Sequence, residues 1–358
     1  MKKSILLFVL SMTLIVGLTG CSQQIKLETG MANSSAIKSC SYNTTVSADT
    51  TGLKKEVATG LDSSVSNMLS AAKVSLNFNG KMLKTDDRSK LSSNVKVSCG
   101  GVSFETPVYI DSSNTKLDFD LFVGVPDILK GMIGADLTGI ANLHLNSKDL
   151  ESYVKSAGSA EEYKKFQDSM TKMFDSKSNK NTQVSKDMLL TFNSYLDKNK
   201  KQVETFAKLG DTSASNNGVY TIKLSKEHLK TIISNYFGNE TYFSNFKDAV
   251  KENEGLSSAS VGEKVEPVTV PDAKTVIAEC NKSLDTAKAV DIVSTFTIED
   301  KIITKINIKF AVVNTDGNVT FEIDSKLSDI NKVTSIVMPD KNADKTLNIM
   351  KLIDPKTK

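Results

Sequence analysis

The spacing of hydrophobic positions changes several times along this chain, and each change marks a predicted element. Between residues 53 and 72 apolar side chains recur every three or four positions, which predicts one amphipathic helix. From residue 74 to residue 125 apolar and polar side chains alternate, which predicts antiparallel strands with one buried and one solvated face. Gly100-Gly101 is a tight-turn signal between two of these strands. The apolar strand positions are Val74, Leu76, Phe78, Val95, Val97, Cys99, Val102, Phe104, Val108, Ile110, Leu117, Phe119, Leu121, Val123 and Val125.

The same order of spacings returns near the C-terminus. A helical stripe runs from Val276 to Ala287, and Asp316-Gly317 gives a hairpin signal within the alternating region that follows. Each unit is therefore predicted to be a helix followed by a run of strands. The apolar strand positions of this second unit are Ile292, Phe296, Ile298, Ile306, Ile308, Phe310, Val312, Val319, Phe321, Ile323, Ile336 and Met338.

The two units also agree in length and at their ends. The first passes from helix to strand at Ala72-Lys73 and ends at Pro126-Asp127, and the second does so at Ala287-Lys288 and Pro339-Asp340. The Lys-to-Pro separations are 126 − 73 = 53 and 339 − 288 = 51 residues. These matches favour an ancient duplication with units at 53–127 and 272–340, with a chance match as the alternative.

Helical spacing dominates the segment between the units, about 128–253. Ser147 is a good N-cap for a helix that carries Glu151 near its start. A lone strand is predicted at Val219–Leu224 after the Asn217-Gly218 turn, and 255–271 is predicted to be a loop. The other predicted helices are 128–133, 159–176, 185–209, 226–236 and 240–252.

Strands with one apolar face and helices with one apolar stripe each need a partner that covers this apolar surface. They predict an α+β protein in which a long curved antiparallel sheet of about 8–10 strands, a half-barrel, packs on several helices. The predicted single domain spans 52–345 and is followed by a tail at 346–358. Two side-by-side α+β lobes with separate cores are the alternative. A parallel βαβ fold is disfavoured because the strands come in runs.

The N-terminus carries the features of an export leader. Lys2 and Lys3 precede an apolar run from Ile5 to Gly17, and Leu18-Thr19-Gly20-Cys21 follows. This order resembles the lipobox of bacterial lipoproteins, in which cleavage precedes the cysteine and its thiol carries diacylglycerol. The alternatives are a chance cysteine or an uncleaved membrane span, but the apolar run is shorter than the roughly 18–20 residues that a span needs.

The lipobox implies a protein anchored at the extracytoplasmic face of the cell membrane. Residues 1–20 would be removed as a signal peptide, and Cys21 would carry fatty acyl chains such as palmitate. Residues 21–51 lack sustained periodicity and are rich in small and polar side chains, which predicts a flexible tether. The diacylglyceryl group supplies two chains, about what stable retention on a bilayer requires.

Composition restricts the partners that this chain is expected to bind. Loss of Lys2 and Lys3 with the leader changes the formal net charge from +3 to +1, and the remaining charges are interspersed. A nucleic-acid partner is therefore not expected, because such binding needs a clustered basic face. Oligomeric state is not readable from these features.

Three cysteines remain if Cys21 is acylated, namely Cys40, Cys99 and Cys280. An odd number cannot all pair internally, although Cys99 and Cys280 are candidates for one disulfide in an oxidising compartment. Free, buried thiols are the favoured interpretation. No cysteine and histidine spacing typical of a metal site occurs, and no metal or cofactor is expected.

Residue types that carry catalysis are few. His144 and His228 are the only histidines, and an isolated histidine is more often structural than catalytic. Asp118 and Asp120 share one strand face, but a solvated outer face explains them better than a catalytic pair does. The Asn314–Gly317 run is similar to part of a calcium loop but lacks its final Glu, so a hairpin turn is favoured. An enzyme is therefore not expected.

Six phenylalanines fall on the apolar side of the predicted strands. They are expected to pack under the helices, or to line a cavity if the helices do not fill the sheet. Carbohydrate binding is disfavoured because Trp is absent. The six candidate cavity-lining residues are Phe78, Phe104, Phe119, Phe296, Phe310 and Phe321.

The lipobox, the first helix and the long meander together resemble the LolA-like superfamily, which includes the LppX/LprG-type lipoproteins. The resemblance covers 53–340 in topology only and carries no residue motif. It implies a half-barrel that holds acyl chains, and hence a non-enzymatic lipoprotein that binds a lipid or other apolar ligand. The alternative is a cell-surface structural or protein-interaction module with a closed core, and an enzyme is a distant third.

Overall fold

A computed structural model of the chain shows an α+β protein built on one open sheet of twelve strands. The structure describes residues 33–34, 36–50, 73–127, 130, 139–157, 163–164, 180–208, 217–261, 269–314 and 317–350. The strands are β1 (Ser39–Asp49), β2 (Lys73–Lys84), β3 (Arg88–Cys99), β4 (Val102–Ser113), β5 (Phe119–Gly124), β6 (Asn142–Asn146), β7 (Glu204–Lys208), β8 (Gly218–Ser225), β9 (Ala289–Glu299), β10 (Ile302–Asn314), β11 (Gly317–Ser328) and β12 (Thr346–Asn348). The helices are α1 (Ser147–Ala157), α2 (Lys180–Val203), α3 (Lys226–Phe237), α4 (Glu240–Val261) and α5 (Ala273–Asp285).

Both predicted runs of strands belong to this single sheet, so the alternative of two separate lobes is wrong. The strand order is β12-β6-β5-β4-β3-β2-β1-β11-β10-β9-β8-β7. Every neighbouring pair is antiparallel except β6 and β12, which are parallel. β1 lies in the middle and joins the halves, because Thr45 pairs with Asn77 of β2 on one side and with Asp324 of β11 on the other.

The position of β1 corrects the predicted tether at 21–51. Residues 39–49 form a central strand, and folding starts before this strand rather than at Leu53. The inward side of β1 is Cys40, Tyr42, Thr44, Val46 and Ala48, which is too small and too polar to give a clear alternating signal. Pairing with two long neighbours satisfies its backbone groups, so tertiary context decides its conformation. The part of the tether before residue 33 lies outside the described residues.

Several further elements differ from the sequence prediction. The helix predicted at 185–209 ends at Val203, and β7 follows it and pairs with β8, which is therefore not a lone strand. Ile336 and Met338 lie in irregular chain rather than in a strand, and α4 continues to Val261 into the predicted loop. β6 was not predicted because five residues give too short a pattern.

The predicted tail also begins with ordered structure, since Thr346–Asn348 form β12 against β6. The α1 helix starts at Ser147, but the predicted N-cap at Ser147 is wrong by one residue: the Asn146 side chain accepts a hydrogen bond from the Asp149 N–H at 2.8 Å, and the Ser147 hydroxyl accepts one from the Phe119 N–H at 3.4 Å. The predicted helices at 53–72, 128–133 and 159–176 lie outside the described residues, apart from Lys130, Tyr163 and Lys164.

The buried core lies at one end of the sheet, where α2, α3, α4 and α5 pack on β8, β9 and β10. The α5 helix begins where the Asp272 side chain accepts a hydrogen bond from the Thr275 N–H at 2.8 Å, and it buries Cys280 and Leu284. Five of the largest fully buried side chains come from α2 and α3. They are Phe192, Leu196, Ile233, Tyr236 and Phe237.

Candidate functional site

Strand register gives the sheet one apolar face across both halves, which we call the apolar face. Residues that pair across antiparallel strands share a face, so the partners of Cys40, Tyr42, Thr44, Val46 and Ala48 define it. In β2 to β5 and β11 these are Val74, Leu76, Phe78, Gly80, Met82, Leu91, Ser93, Val95, Val97, Cys99, Val102, Phe104, Thr106, Val108, Ile110, Leu121, Val123, Phe321, Ile323, Ser325 and Leu327. Lysine, arginine, aspartate and glutamate are absent from these rows, and every residue in them is described.

Burial of the apolar face falls from one half of the sheet to the other. On β8 and β9 these positions are buried under the helices, and Phe296 has no exposed surface. On β11 and on β2 to β5 the apolar side chains are only half-buried, and Val102 is 61% exposed. The sheet thus presents a closed core at one end and a continuous half-buried apolar surface over its remaining strands.

The six predicted phenylalanines divide between these two environments. Phe296 and Phe310 are buried in the helix-covered core, and Phe321 packs against it with its ring centroid 6.3 Å from that of Phe310. Phe78, Phe104 and Phe119 are half-buried on the first half of the sheet. The sequence pattern placed all six on one face but could not separate buried from half-buried positions.

A small group of hydroxyls interrupts the apolar face near its centre. The Thr44 and Ser325 hydroxyls lie 2.8 Å apart, and the Thr106 hydroxyl donates to the Gly124 carbonyl at 2.6 Å. The Ser93 side-chain oxygen is buried, and the residue is only 4% exposed. Of the apolar-face positions on β2 to β5, Ser93 alone is buried.

Tyr42 lies in the same row of the sheet as Ser93, with Gly80 between them. The β3 backbone approaches Gly80 so closely that a Cβ on this residue would lie 2.0 Å from the Ser92 carbonyl oxygen, so only glycine fits there. Burial raises the pKa of the Tyr42 phenol, and a hydrogen bond with the Ser93 side chain acts against this shift to a smaller extent.

His144 lies on the opposite face of the sheet and serves a structural contact. Its Nε2 is 2.8 Å from an Asp120 carboxylate oxygen, and its ring stacks on Phe122 at a centroid distance of 4.4 Å. His144 is only 3% exposed. Sequence analysis assigned Asp120 to a solvated face and missed this pair, because β6 was not recognised as the neighbour of β5.

Asp118 belongs to a different cluster from Asp120. It binds Arg88 Nη1 at 2.9 Å, while Arg88 Nε binds Asp111 at 2.6 Å. Hydrogen bonding to Asp111, and then to Asp118, raises the pKa of Arg88. The two predicted carboxylates are thus directed to separate partners and do not form a catalytic pair.

His228 helps to begin α3, because its Nδ1 accepts a hydrogen bond from the Ser225 N–H at 3.1 Å. Cys40, Cys99 and Cys280 are free, so the candidate pair Cys99–Cys280 is not formed. Burial raises the pKa of the Cys40 thiol and raises that of Cys280 to about 11.

Among the described residues, no group of three or more His, Cys, Asp and Glu side chains is arranged to hold a metal ion. Asn314 pairs with Gly317 at the end of the β10–β11 hairpin, where the sequence predicted a turn. In the part of the chain that the structure describes, no helix is long and apolar enough to cross a bilayer.

Comparison with protein-family models, curated proteins and solved structures returns no match.

Proposed function

We propose that this chain is a non-enzymatic, membrane-anchored extracytoplasmic lipoprotein that binds a lipid or other apolar ligand on the half-buried part of its apolar face. The observation that supports the proposal is the fall in burial along one continuous apolar face, from β8 and β9 to β2–β5. Apolar surface that folding leaves partly open is the usual lining of an apolar ligand site.

The size of the ligand follows from the free energy of burial. Each buried methylene supplies about 0.8 kcal/mol, so a chain of ten supplies about 8 kcal/mol. Association costs on the order of 4–15 kcal/mol, so a short chain would bind weakly. The ligand is therefore a long acyl or similar chain lying across several strands.

The anchor in this proposal is Cys21 with its diacylglyceryl group. The lipobox and the leader at 1–20 support it, and both lie outside the described residues. Because β1 begins at Ser39 and Ile37 is buried, the proposed tether shortens to residues before 33.

Two finer points of architecture belong to the same proposal. A LolA-like half-barrel is favoured by the single sheet, with helices in the connections that cover one face. A duplication is favoured by strand order: β2-β3-β4 and β9-β10-β11 advance across the sheet in the same direction, four positions apart. Four antiparallel steps return the same strand direction, and β1 and β8 precede the two runs in equivalent places.

Native mass spectrometry of the full chain, purified from membranes in detergent that is removed in the gas phase, tests the proposed function. We expect a non-covalent apolar ligand in addition to the covalent lipid. Val97→Asp, on the apolar face, should abolish retention of that ligand. Its neighbour Lys96→Asp, exposed on the opposite face of β3, is the matched control and should retain it. A ligand-free mass for the wild type, or equal retention in both variants, would contradict the proposal.

A cell-surface interaction module is the second candidate. The closed core under α2 to α5 favours it, because that half has its apolar face filled by the chain itself. In this case the half-buried surface binds a protein segment instead of a lipid. Crosslinking from position 97 in intact cell envelopes to a reproducible protein, together with a lipid-free mass, would support this candidate.

A further inference from the structure

We propose that the contacts of the N-terminal segment make one end of the sheet the surface that faces a phospholipid bilayer. This inference rests on the proposed function, because it needs the lipid anchor at Cys21. It starts from hydrogen bonds that hold residues 33–39 against that end. We call it the clasped end, and it comprises the start of β1, the end of β11, the β2–β3 turn and the β9–β10 turn.

The first part of the N-terminal segment is bound to the β9–β10 turn. The Asn33 side-chain amide donates a hydrogen bond to the Lys301 carbonyl at 2.9 Å. The Ile303 N–H donates one to the Ser34 hydroxyl at 3.0 Å. These contacts hold residues 33 and 34 beside the turn.

The second part is bound where β11 ends. The Asn331 side-chain oxygen accepts hydrogen bonds from the Lys38 and Ser39 N–H groups at 2.9 and 3.4 Å. The Asn331 N–H donates one to the Ser39 carbonyl at 2.6 Å. Ile37 is only 6% exposed, so the segment also buries apolar surface. The chain therefore enters the folded body at the clasped end.

The length of chain before this segment limits how the molecule can lie on a membrane. From Cys21 to Asn33 there are 33 − 21 = 12 residue steps. Twelve steps span at most about 40 Å when fully extended, and a coil of this length spans about 20 Å on average. The sheet is about as long as the extended chain, because the 12 residues of β3 span about 40 Å.

The clasped end is therefore the end that lies next to the bilayer. If the Gly100-Gly101 turn at the opposite end lay there instead, the chain from Cys21 would have to run back along the whole sheet. Such a chain would be fully extended and would lose most of its conformational entropy, which is unfavourable. The strands then point away from the membrane.

The exposed side chains of the clasped end fit the headgroups of a zwitterionic phospholipid. Lysines pair with the phosphate of such a headgroup, and carboxylates pair with its ammonium group. Because charges of both signs are interspersed, the surface does not depend on a net attraction to anionic lipid. The exposed charged residues at this end include Lys84, Lys301, Lys332, Asp87, Asp300 and Asp329.

Energy transfer from a labelled residue to a headgroup-labelled lipid tests the orientation, with the full acylated chain in phosphatidylcholine vesicles. Ser328→Cys places the donor dye at the clasped end, and Ser103→Cys places it at the opposite end of the same polar face. Cys99→Ala serves as the background, because Cys40 and Cys280 are buried. We expect stronger transfer from position 328, from a donor that is closer to the bilayer by about the length of a strand, about 30–40 Å.

A longer tether should weaken this orientation. About 24 Gly and Ser residues inserted after Ser22 raise the average span of a coil from about 20 Å to about 33 Å. This variant should lose transfer from position 328 and still bind the vesicles. The same insertion between Gly100 and Gly101 is the matched control, because it lengthens a turn at the opposite end and leaves the tether unchanged. It should not change transfer from position 328.

The outcomes separate this inference from the proposed function. If the chain carries no diacylglyceryl group or does not bind the vesicles, the proposed anchor fails and this inference fails with it. If the bound chain gives equal transfer from both positions, or stronger transfer from position 103, the anchor stands and the orientation is wrong. A difference that survives the longer tether, or that appears only with anionic lipid, would also overturn the inference, because surface charge would then set the orientation.

Discussion

Buried polar side chains are treated differently at the two ends of this molecule. In the closed core, Asp187 is 2% exposed, and its carboxylate accepts hydrogen bonds from Gln183 at 2.8 Å and from Asn245 at 2.7 Å. On the half-buried part of the apolar face, the buried Ser93 hydroxyl lies beside the Tyr42 phenol. The first arrangement is a buried charge that two amide donors satisfy, and the second involves only neutral hydroxyls.

The Asp187 contacts give a prediction for stability. Asn245→Leu removes a donor from a buried carboxylate and should lower the free energy of unfolding by about 2 kcal/mol. Urea denaturation followed by far-ultraviolet circular dichroism measures the change. Lys186→Ala, at an exposed position on α2, is the control and should have little effect. Equal midpoints for the two variants would show that the Asn245 contact adds nothing to stability.

Asp272 gives a prediction for the dependence of stability on pH. Hydrogen bonds from the Thr275 backbone and side chain hold the pKa of this carboxyl below its ordinary value of 3.8. A carboxyl with a lowered folded-state pKa stabilises the protein above its unfolded pKa, and this contribution disappears as the pH falls through the folded value.

Asp272→Asn keeps a capping side chain but does not titrate. The difference in unfolding free energy between wild type and this variant should therefore shrink as the pH is lowered from about 6 to below 3.8. Urea denaturation at several pH values gives the comparison. A difference that stays constant across this range would mean that the cap does not depend on the charge.

At the scale of elements, sequence patterning succeeded where a strand is long and one-sided. The alternation over Val74–Phe78 and Ile306–Val312 gave strands in β2 and β10, and both strands extend beyond the pattern. It failed at β1, β6 and β7. These strands are short or carry small and polar inward residues, so their conformation depends on neighbours that sequence spacing does not reveal.

In the candidate site, the apolar face was predictable from the sequence, but its polar residues were not. Alternation identified the apolar face and its phenylalanines, since side-chain direction has a period of two in a strand. It did not identify Ser93 or Tyr42, because a serine within an apolar run and a tyrosine in an apparent tether carry no signal alone. Their proximity depends on the register of β1, β2 and β3 around Gly80.

The corrected position of β1 gives a prediction for this element. Thr45→Pro removes a backbone donor from a central strand and should lower the unfolding free energy by at least about 2 kcal/mol. Thr45→Ala keeps the backbone N–H and loses only the contact with the Asn77 side chain, so its effect should be smaller. Thermal denaturation compares the two. A flexible tether at this position would tolerate both changes equally.

At the scale of the whole molecule, the described residues form one sheet whose apolar face is covered unequally by the described helices. Helices α2 to α5 cover the strands from β8 to β10, while the strands from β11 to β5 keep a half-buried apolar surface. The β1 strand connects the two halves through two antiparallel ladders. Folding stability and ligand binding should therefore depend on different phenylalanines.

Phe296 and Phe104 separate these two properties. Phe296 is fully buried, so Phe296→Ala should lower the unfolding free energy by about 3–5 kcal/mol. Phe104 is half-buried, so Phe104→Ala should cost clearly less in the absence of ligand. Thermal denaturation of the full chain, with and without methyl laurate, measures both effects.

The shift in melting temperature caused by the ligand distinguishes the variants further. A ligand at about 100 times its Kd stabilises the folded state by about 2.7 kcal/mol, and this gain depends only on affinity. Phe296→Ala should melt lower but keep the full ligand-induced shift. Phe104→Ala should melt near the wild type but lose part of the shift, because the side chain that it removes belongs to the binding surface. If ligand shifts the two variants equally, the half-buried surface around Phe104 does not contact the ligand.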